Sequence, residues 1–304
     1  MFVSNIPDQE IRQLEGYRGR SIQRAGVQVI RGTTTLIAHF GDPIAPVKSP
    51  MIYNPYFERA GIDAVVVPMG VRATDYAAVL RAVFRLINVR GALVTMPHKV
   101  TTVPLLDDCG TSVSVAGSCN AILRRTDGTL YGELFDGAGF VRGVERKGFV
   151  LDGTRCLVVG TGGVGSAIAA ALAAANIATL ALFDTYAAAR DALRDRLRKH
   201  YPKLDVRTDT RDPAGFDLVV NATPLGMNAD DPLPIDVTRL APSTFVGEVV
   251  MKQEITPLLR AARERGCPIQ VGTDMLFEQI PLYLEFFGFG SVTPDELRAV
   301  AMLA

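Results

Sequence analysis

The segment Gly160-Thr161-Gly162-Gly163-Val164-Gly165 carries glycines at the spacing G-x-G-x-x-G. It stands directly after a compact apolar run, Arg155 to Val159, and directly before an alanine-rich stretch, Ser166 to Ala175. The chemistry open to such a turn is the binding of phosphate. Gly160 permits the tight turn, Gly162 lets a pyrophosphate approach the backbone, and Gly165 lets helix and strand pack closely. Exposed N–H groups around Gly163 and Val164, with the helix dipole, then hold the phosphates. A second apolar run, Thr179 to Phe183, ends in Asp184, where a carboxylate accepts hydrogen bonds from the adenosine ribose and repels a 2′-phosphate. The chain continues Thr185-Tyr186-Ala187, and the next arginine is Arg190, so NAD is favoured over NADP. Asp184 as a plain helix cap is the alternative.

Placing this turn requires strands and helices in alternation. Thr34 to Phe40, Ala64 to Pro68 and Ala92 to Thr95 have the β-branched, apolar character of strands. Helical stretches begin near Ser49 and Thr74, the second with Val79, Val83, Phe84 and Ile87 as its apolar face. Gly137 to Phe149 reads as a linking helix. Further strands are expected at Leu218 to Asn221, Phe245 to Val250 and Ile269 to Gly272, and a helix from Asp274 onward. Thr293-Pro294-Asp295-Glu296 has the form of a capped helix start. Strand–helix–strand alternation predicts an α/β protein with parallel sheets, its site in a cleft between two domains.

The bulk numbers narrow the classes. A chain of 304 residues, 48% hydrophobic and 21% charged, is long enough for two domains with substantial cores. Lys plus Arg number 32 and so do Asp plus Glu, which leaves no excess positive charge to draw nucleic acid or an anionic membrane. No apolar stretch reaches the roughly 18 residues of a spanning helix, and Met1 to Arg20 lacks the apolar core of a signal peptide. A cytoplasmic location is expected. Cys109, Cys119, Cys156 and Cys267 are scattered without a C-x-x-C pair, so neither a zinc site nor a disulfide framework is expected. His39 and His200 lack any carboxylate or cysteine pattern around them and read as incidental, and no metal is called for.

Several segments then form a set. They are Gly41-Asp42-Pro43-Ile44-Ala45-Pro46-Val47-Lys48-Ser49-Pro50, Val94-Thr95-Met96-Pro97-His98-Lys99, Ala116-Gly117-Ser118-Cys119-Asn120-Ala121 and Gly132-Glu133-Leu134-Phe135-Asp136-Gly137. Asn221-Ala222-Thr223-Pro224-Leu225-Gly226-Met227 and Gly272-Thr273-Asp274-Met275-Leu276-Phe277-Glu278-Gln279 complete it. In order and spacing they resemble the shikimate/quinate dehydrogenase family, over residues 37–288. The resemblance implies a substrate domain of residues 1–136 and 276–304. A Rossmann-type NAD(P)-binding domain would span 137–275, with a C-terminal helix returning to the first domain. It implies reversible hydride transfer between a ring alcohol and NAD(P), with a small-molecule substrate and room for a homodimer.

Lys99 matches the family's catalytic lysine and Asp136 its partner. Removing a hydroxyl proton needs an unprotonated amine, which a neighbouring carboxylate opposes and burial favours. Thr95, Asn120 and Gln279 match positions that hydrogen-bond substrate hydroxyls, and Ser49 one of two hydroxyl residues for its carboxylate. Asn221, Thr223, Met227 and Gly272 are the matching cofactor contacts beyond the glycine turn. Taken singly, Lys99 and Asp136 read as solvated surface charges, Thr95 as a half-buried strand residue, Asn120 as a turn former, Ser49 as a helix N-cap and Gln279 as a surface helix residue. His98, beside Lys99, reads as pointing the other way.

The departures from the family lie on the substrate side. Val47 stands where typical members have serine, and Pro46 where histidine is common. Leu93 replaces the asparagine that opens the Val-Thr-x-Pro-x-Lys motif, Leu134-Phe135 an Asn-Thr pair, and Met251 a tyrosine. Each loses a polar group, which weakens the carboxylate clamp. A less polar ring alcohol therefore competes with shikimate or quinate as substrate. A non-catalytic metabolite sensor is the remaining alternative, against which the retention of Lys99 and Asp136 argues.

Overall fold

The computed structural model describes residues 29–303 apart from Asp209 and Ala229, so the expectation for Met1 to Arg20 lies outside the described residues. Residues 33–304 form one compact unit, described below.

Two six-stranded sheets organise it. The first contains β1 (Thr35–Gly41), β2 (Ala64–Gly70), β3 (Val89–Val94), β4 (Asp108–Cys109), β5 (Ala121–Arg124) and β6 (Leu130–Glu133), in the spatial order β2-β1-β3-β5-β6-β4. β1 runs parallel to both neighbours, while β5 is antiparallel to β3 and β6. Helices α1 (Pro50–Ala60), α2 (Tyr76–Val83), α3 (Lys99–Thr102) and α4 (Thr111–Ala116) connect its strands, and α5 (Asp136–Arg146) leaves it.

The second sheet contains β7 (Arg155–Val159), β8 (Thr179–Phe183), β9 (Asp205–Arg207), β10 (Leu218–Asn221), β11 (Phe245–Glu248) and β12 (Ile269–Gln270). The spatial order is β12-β11-β10-β7-β8-β9 with every pair parallel, the doubly wound Rossmann-type order. The strand order reverses between β7 and β10, and the crevice there is where such sheets take ligands. Its helices are α6 (Gly163–Ala174), α7 (Ala187–His200) and α8 (Pro257–Glu264), followed by α9 (Gly272–Phe287) and α10 (Pro294–Arg298). Parallel strands covered on both faces carry apolar side chains on both, which is why β7 and β8 read as unbroken apolar runs. The alanine-rich α6 is buried nearly all round for the same reason.

α9 ties the sheets together. It starts beside β12 and ends with the Phe287 carbonyl accepting from Arg90 Nε of β3 at 3.0 Å. Thr293 caps α10 through the reciprocal box with Glu296 that its sequence predicts.

Some expected elements need correction. The buried face of α2 is Tyr76, Leu80 and Phe84, whereas Ile87 lies past the helix end and is 94% exposed. The run Phe245 to Val250 stops being a strand at Glu248, and Gly272 opens α9. Among the described residues no helix is long and apolar enough to cross a membrane, and no His, Cys, Asp and Glu cluster could hold a metal. All four cysteines are free thiols; burial pushes Cys156 up to about 12, so it stays a thiol.

Candidate active site

Lys99 is the first residue of α3, delivered by the turn that follows β3. Its Nζ lies 2.5 Å from Asp136 Oδ2, with the two side chains 15% and 7% exposed. Asp136 is the first residue of α5, so its carboxylate also meets the positive end of a helix dipole. The isolated reading of both as solvated surface charges is overturned.

Asn120 and Gln279 are both tied to α5, the helix that Asp136 opens. Asn120 precedes β5 and is buried; its Oδ1 accepts from the Phe135 N–H at 3.0 Å, next to Asp136, while its Nδ2 has no partner. Gln279 on α9 is buried too, with its Oε1 unpartnered. A Cβ built on Gly139 would stand 2.6 Å from Gln279 Cβ, so the absent side chain lets α9 approach the first turn of α5. Thr95 is half-buried, its N–H donating to the Phe40 carbonyl at 2.9 Å. A buried polar atom without a partner costs about 1–3 kcal/mol. Two of them, Asn120 Nδ2 and Gln279 Oε1, belong to residues in contact with the start of α5, where Asp136 meets Lys99.

Ser49 does not cap α1; it accepts or donates at 2.5 Å to Nδ1 of His39 on β1. His39 is therefore not incidental. It is 9% exposed, and burial, helped by the charge of Lys99, pushes it down to about 4. A sequence signal was present: strand alternation puts His39 on the buried face shared with Ile37, where a polar side chain needs a reason. Tyr283 of α9 was also missed. Burial first, then the charge of Asp136, holds its phenol un-ionised, and burial does the same for Tyr53. His98 points away as expected: its ring stacks on Tyr76 at 4.0 Å and its Nε2 donates to the Val71 carbonyl at 2.8 Å.

Three of the apolar departures, Leu93, Leu134 and Phe135, go into packing. Leu93 and Leu134 are buried core residues, and the Phe135 ring packs edge-on against Tyr283 and Phe286. Val47 is half-buried and Met251 is exposed.

At the second sheet, Gly160 leaves β7 with φ +97°, and a Cβ on Gly165 would sit 1.9 Å from the Gly160 carbonyl oxygen. By contrast, a Cβ on Gly162 or Gly163 would meet nothing within 4 Å, so these residues line an open cradle at the N-terminus of the twelve-residue α6. Val164 follows in its first turn. The loop from Asn221 to Met227 borders the cradle, with Ala222 and Thr223 packed against Gly160. Asn221 is buried and shapes that loop: its Oδ1 accepts from the Thr223 N–H and hydroxyl, and its Nδ2 donates to the Leu225 carbonyl. Met227 is exposed at the loop end. Gly272 is buried where a Cβ would strike the Val250 carbonyl at 2.2 Å, a close backbone contact at the start of α9.

Asp184 accepts the Thr161 N–H and hydroxyl on one oxygen and the Tyr186 N–H on the other. Burial works to raise this carboxyl, but the hydrogen bonds from Tyr186 and Thr161 outweigh it and hold it below the usual range. Glu248, which sequence reasoning passed over, is fully buried at the end of β11; burial pushes it up to about 7 against a hydrogen bond from Thr256.

The family model for the shikimate dehydrogenase substrate binding domain matches residues 40–122. A shikimate dehydrogenase (NADP(+)) of Acidiphilium cryptum is 34% identical over 275 residues, 90% of this chain and 98% of that protein. Shikimate 5-dehydrogenase from Listeria monocytogenes, solved in complex with shikimate and NAD, superposes with a TM-score of 0.83 at 26% identity, covering 90% of this chain and 99% of that one. Quinate dehydrogenase from Corynebacterium glutamicum, in complex with NAD, gives 0.78 at 28% identity, covering 88% and 98%. The chain therefore belongs to the shikimate dehydrogenase family of oxidoreductases.

Proposed function

We propose that this protein catalyses reversible hydride transfer between the ring hydroxyl of a shikimate- or quinate-like cyclic alcohol and NAD(P), with Lys99 and Asp136 as the acid–base pair. The observation that carries this is the half-sealed Lys99–Asp136 contact at 2.5 Å beside the unpartnered Asn120 Nδ2 and Gln279 Oε1. A bound nicotinamide supplies the hydride acceptor or donor. The chain's part is to place the alcohol and manage its proton. In the oxidising direction Lys99 Nζ, unprotonated, takes the hydroxyl proton; in the reducing direction its ammonium returns a proton to the oxygen. Asp136 holds Nζ in line throughout, and Thr95, Asn120 and Gln279 orient the ring through its other hydroxyls.

The cofactor fits the open cradle. Gly160, Gly162, Gly163, Val164 and Gly165 would hold the pyrophosphate on backbone N–H groups, with Asn221, Thr223, Met227 and Gly272 closing around the nicotinamide half. An ionised Asp184 supports NAD as the preferred form, since a 2′-phosphate would meet like charge. Arg190, the nearest arginine in sequence, is engaged with Asp191. For the described residues, the two sheets support the expected division at residues 136 and 276, the first sheet serving the substrate and the second the cofactor. Four free thiols and balanced charge support a cytoplasmic setting.

The test is a panel of shikimate, quinate and related ring alcohols with NAD and NADP, followed at 340 nm. Turnover of at least one, lost in Lys99→Ala, is the expected result. No turnover of any alcohol, with ligand binding intact in Lys99→Ala, would overturn the assignment in favour of a metabolite sensor.

A further inference from the structure

Glu248 is fully buried at the end of β11, and the reaction proposed above gives it no part. β10 and β11 pair in parallel as far as Asn221 and Glu248, which stand side by side where both strands run out. Side chains alternate along β11, so Gly247 faces Phe140 of α5 while Glu248 faces the other side of the sheet. Its Oε2 accepts from the Thr256 hydroxyl at 2.7 Å, and its Oε1 is sealed without a hydrogen-bond partner. Oε1 lies against the loop from Asn221 to Met227, where a Cβ built on Gly226 would stand 3.5 Å from it. The same loop is braced by Asn221, by Asp231 accepting from the Gly226 N–H at 3.0 Å, and by Gln253 donating to the Gly226 carbonyl at 2.8 Å.

No cation offsets a charge at this carboxyl. It meets Thr256 from the start of α8 and Asn221 from β10, and the β12 edge places only the apolar Ile269 and Val271 on the same face of the sheet. Among the loop residues, Asp231 is a like charge, held below the usual range first by the Asn228 N–H. Lys252 and Glu254 are exposed, and Lys252 is turned to Asn228 Oδ1 at 3.3 Å. Glu248 forms no ion pair among the described residues, and the positive end of the α8 dipole eases its charge without cancelling it. Burial accordingly pushes Glu248 up to about 7, against hydrogen bonds from Thr256 and Asn221. A glutamine of the same shape would accept from Thr256 equally well and bring no charge to bury, so the acid lowers stability wherever it is ionised.

What the cofactor crevice would hold is a group that changes its charge. A nicotinamide ring is a cation when oxidised and neutral when reduced. Asn221, Thr223 and Met227 are the residues that would close around that half of the cofactor, and Glu248 packs against their loop from inside the protein. A carboxylate sealed from water and without a counter-ion is screened little and acts at long range. At an effective dielectric of about 20, two unit charges about 10 Å apart shift an equilibrium by roughly tenfold.

We infer that Glu248 sets the balance between oxidised and reduced cofactor: its carboxylate, packed under the Asn221–Met227 loop, tightens the binding of a cationic nicotinamide and leaves that of the neutral ring unchanged. This rests on the reading of the chain as a nicotinamide-dependent dehydrogenase, and it deepens that reading by naming the residue that tells the two forms apart. The proton balance follows. Oxidised cofactor favours ionised Glu248, so a protonated Glu248 gives its proton to solvent when that form binds, whereas the reduced form binds without release. The contribution of Glu248 to oxidised-form affinity is full well above pH 7 and is lost as pH falls through about 7.

The experiment measures calorimetric Kd values for the oxidised and reduced forms of whichever of NAD and NADP binds tighter, at pH 5.5 and 8.5, in the wild type and in Glu248→Gln. Dividing the variant's Kd by that of the wild type cancels the titration of other groups common to both, Lys99 included. For the oxidised form this quotient is expected near one at pH 5.5 and about threefold to tenfold at pH 8.5. For the reduced form it stays near one at both. A second measurement needs no variant: near pH 7, oxidised cofactor binding to the wild type should release protons, read from binding enthalpies in buffers of different ionisation heat, and reduced cofactor should release fewer. Equal quotients for the two forms, an oxidised-form quotient that does not change with pH, or equal proton release would each overturn the inference while leaving the cofactor site in place. Binding of neither form of either cofactor would sink the dehydrogenase reading and the inference with it.

Discussion

Asp184 holds Thr161 twice through one carboxylate oxygen, accepting its backbone N–H at 2.6 Å and its hydroxyl at 2.9 Å. The second strand of the cofactor sheet is thereby stitched to the glycine turn at the end of the first. Asp184→Ser removes that stitch and the like charge facing a 2′-phosphate. The ratio of kcat/KM for NADP over NAD is expected to rise roughly tenfold or more. An unchanged ratio in steady-state kinetics would mean that Asp184 serves the turn alone.

Gly162 and Gly165 separate cofactor binding from folding. Gly165→Ala forces a methyl group to 1.9 Å from a backbone carbonyl and should lower Tm by several degrees. Gly162→Ala meets no protein atom within 4 Å, and the residue's φ of −66° suits any side chain. Its Tm should stay near wild type while KM for the cofactor rises about tenfold or more, because the methyl occupies the cradle. Thermal unfolding read beside cofactor titration checks both.

Lys99→Met should lower kcat by about 10²- to 10⁴-fold with substrate Kd changed far less, as loss of a general acid–base demands. Asp136→Asn keeps the shape and leaves Nζ without its ionic partner; a smaller loss, on the order of 10²-fold, is expected. Single-turnover rates distinguish the chemical step from binding.

His39 and Glu248 bend the pH–stability curve in opposite directions. The folded state lowers His39 from 6.5 to about 4, so the unfolded chain binds the extra proton between those values and stability is lost as pH falls through that window. Glu248 is raised from 4.5 to about 7, so its contribution is present below pH 4.5 and lost as pH rises toward 7. Each amounts to about 1–3 kcal/mol, and together they nearly cancel between pH 4.5 and 6.5. Glu248→Gln should therefore be more stable than wild type at pH 8 and lose that advantage by pH 4. His39→Asn should be less acid-sensitive than wild type. Urea unfolding at pH 4.5, 6.5 and 8 reads both slopes, and parallel curves for all three proteins would contradict the assignment.

The cofactor half was legible because its signals are local. A strand buried on both faces shows as an apolar run, and a turn that tolerates no Cβ shows as glycine. The substrate half is built from residues distant in sequence, and the pairing of Lys99 with Asp136, 37 residues apart, leaves no mark in spacing. The family resemblance alone brought them together. Ile87 was misplaced because a short helix with Val79 and Val83 on one stripe and Tyr76 and Leu80 on the next offers two adjoining apolar stripes, and packing of Tyr76 and Leu80 under β1 and β3 chose between them. His39 and Glu248 escaped because each is one polar residue within an apolar strand, where composition speaks for the strand and not for the exception.

The contact of Gly139 with Gln279 works as a ruler. α5 and α9 cross with almost no side chain between them there, so the backbone separation of two helices sets how far the Gln279 amide reaches toward Lys99 and Asp136. In the proposed site, the depth left for a ring would then depend on the absence of a methyl group on a residue outside the proposed substrate contacts.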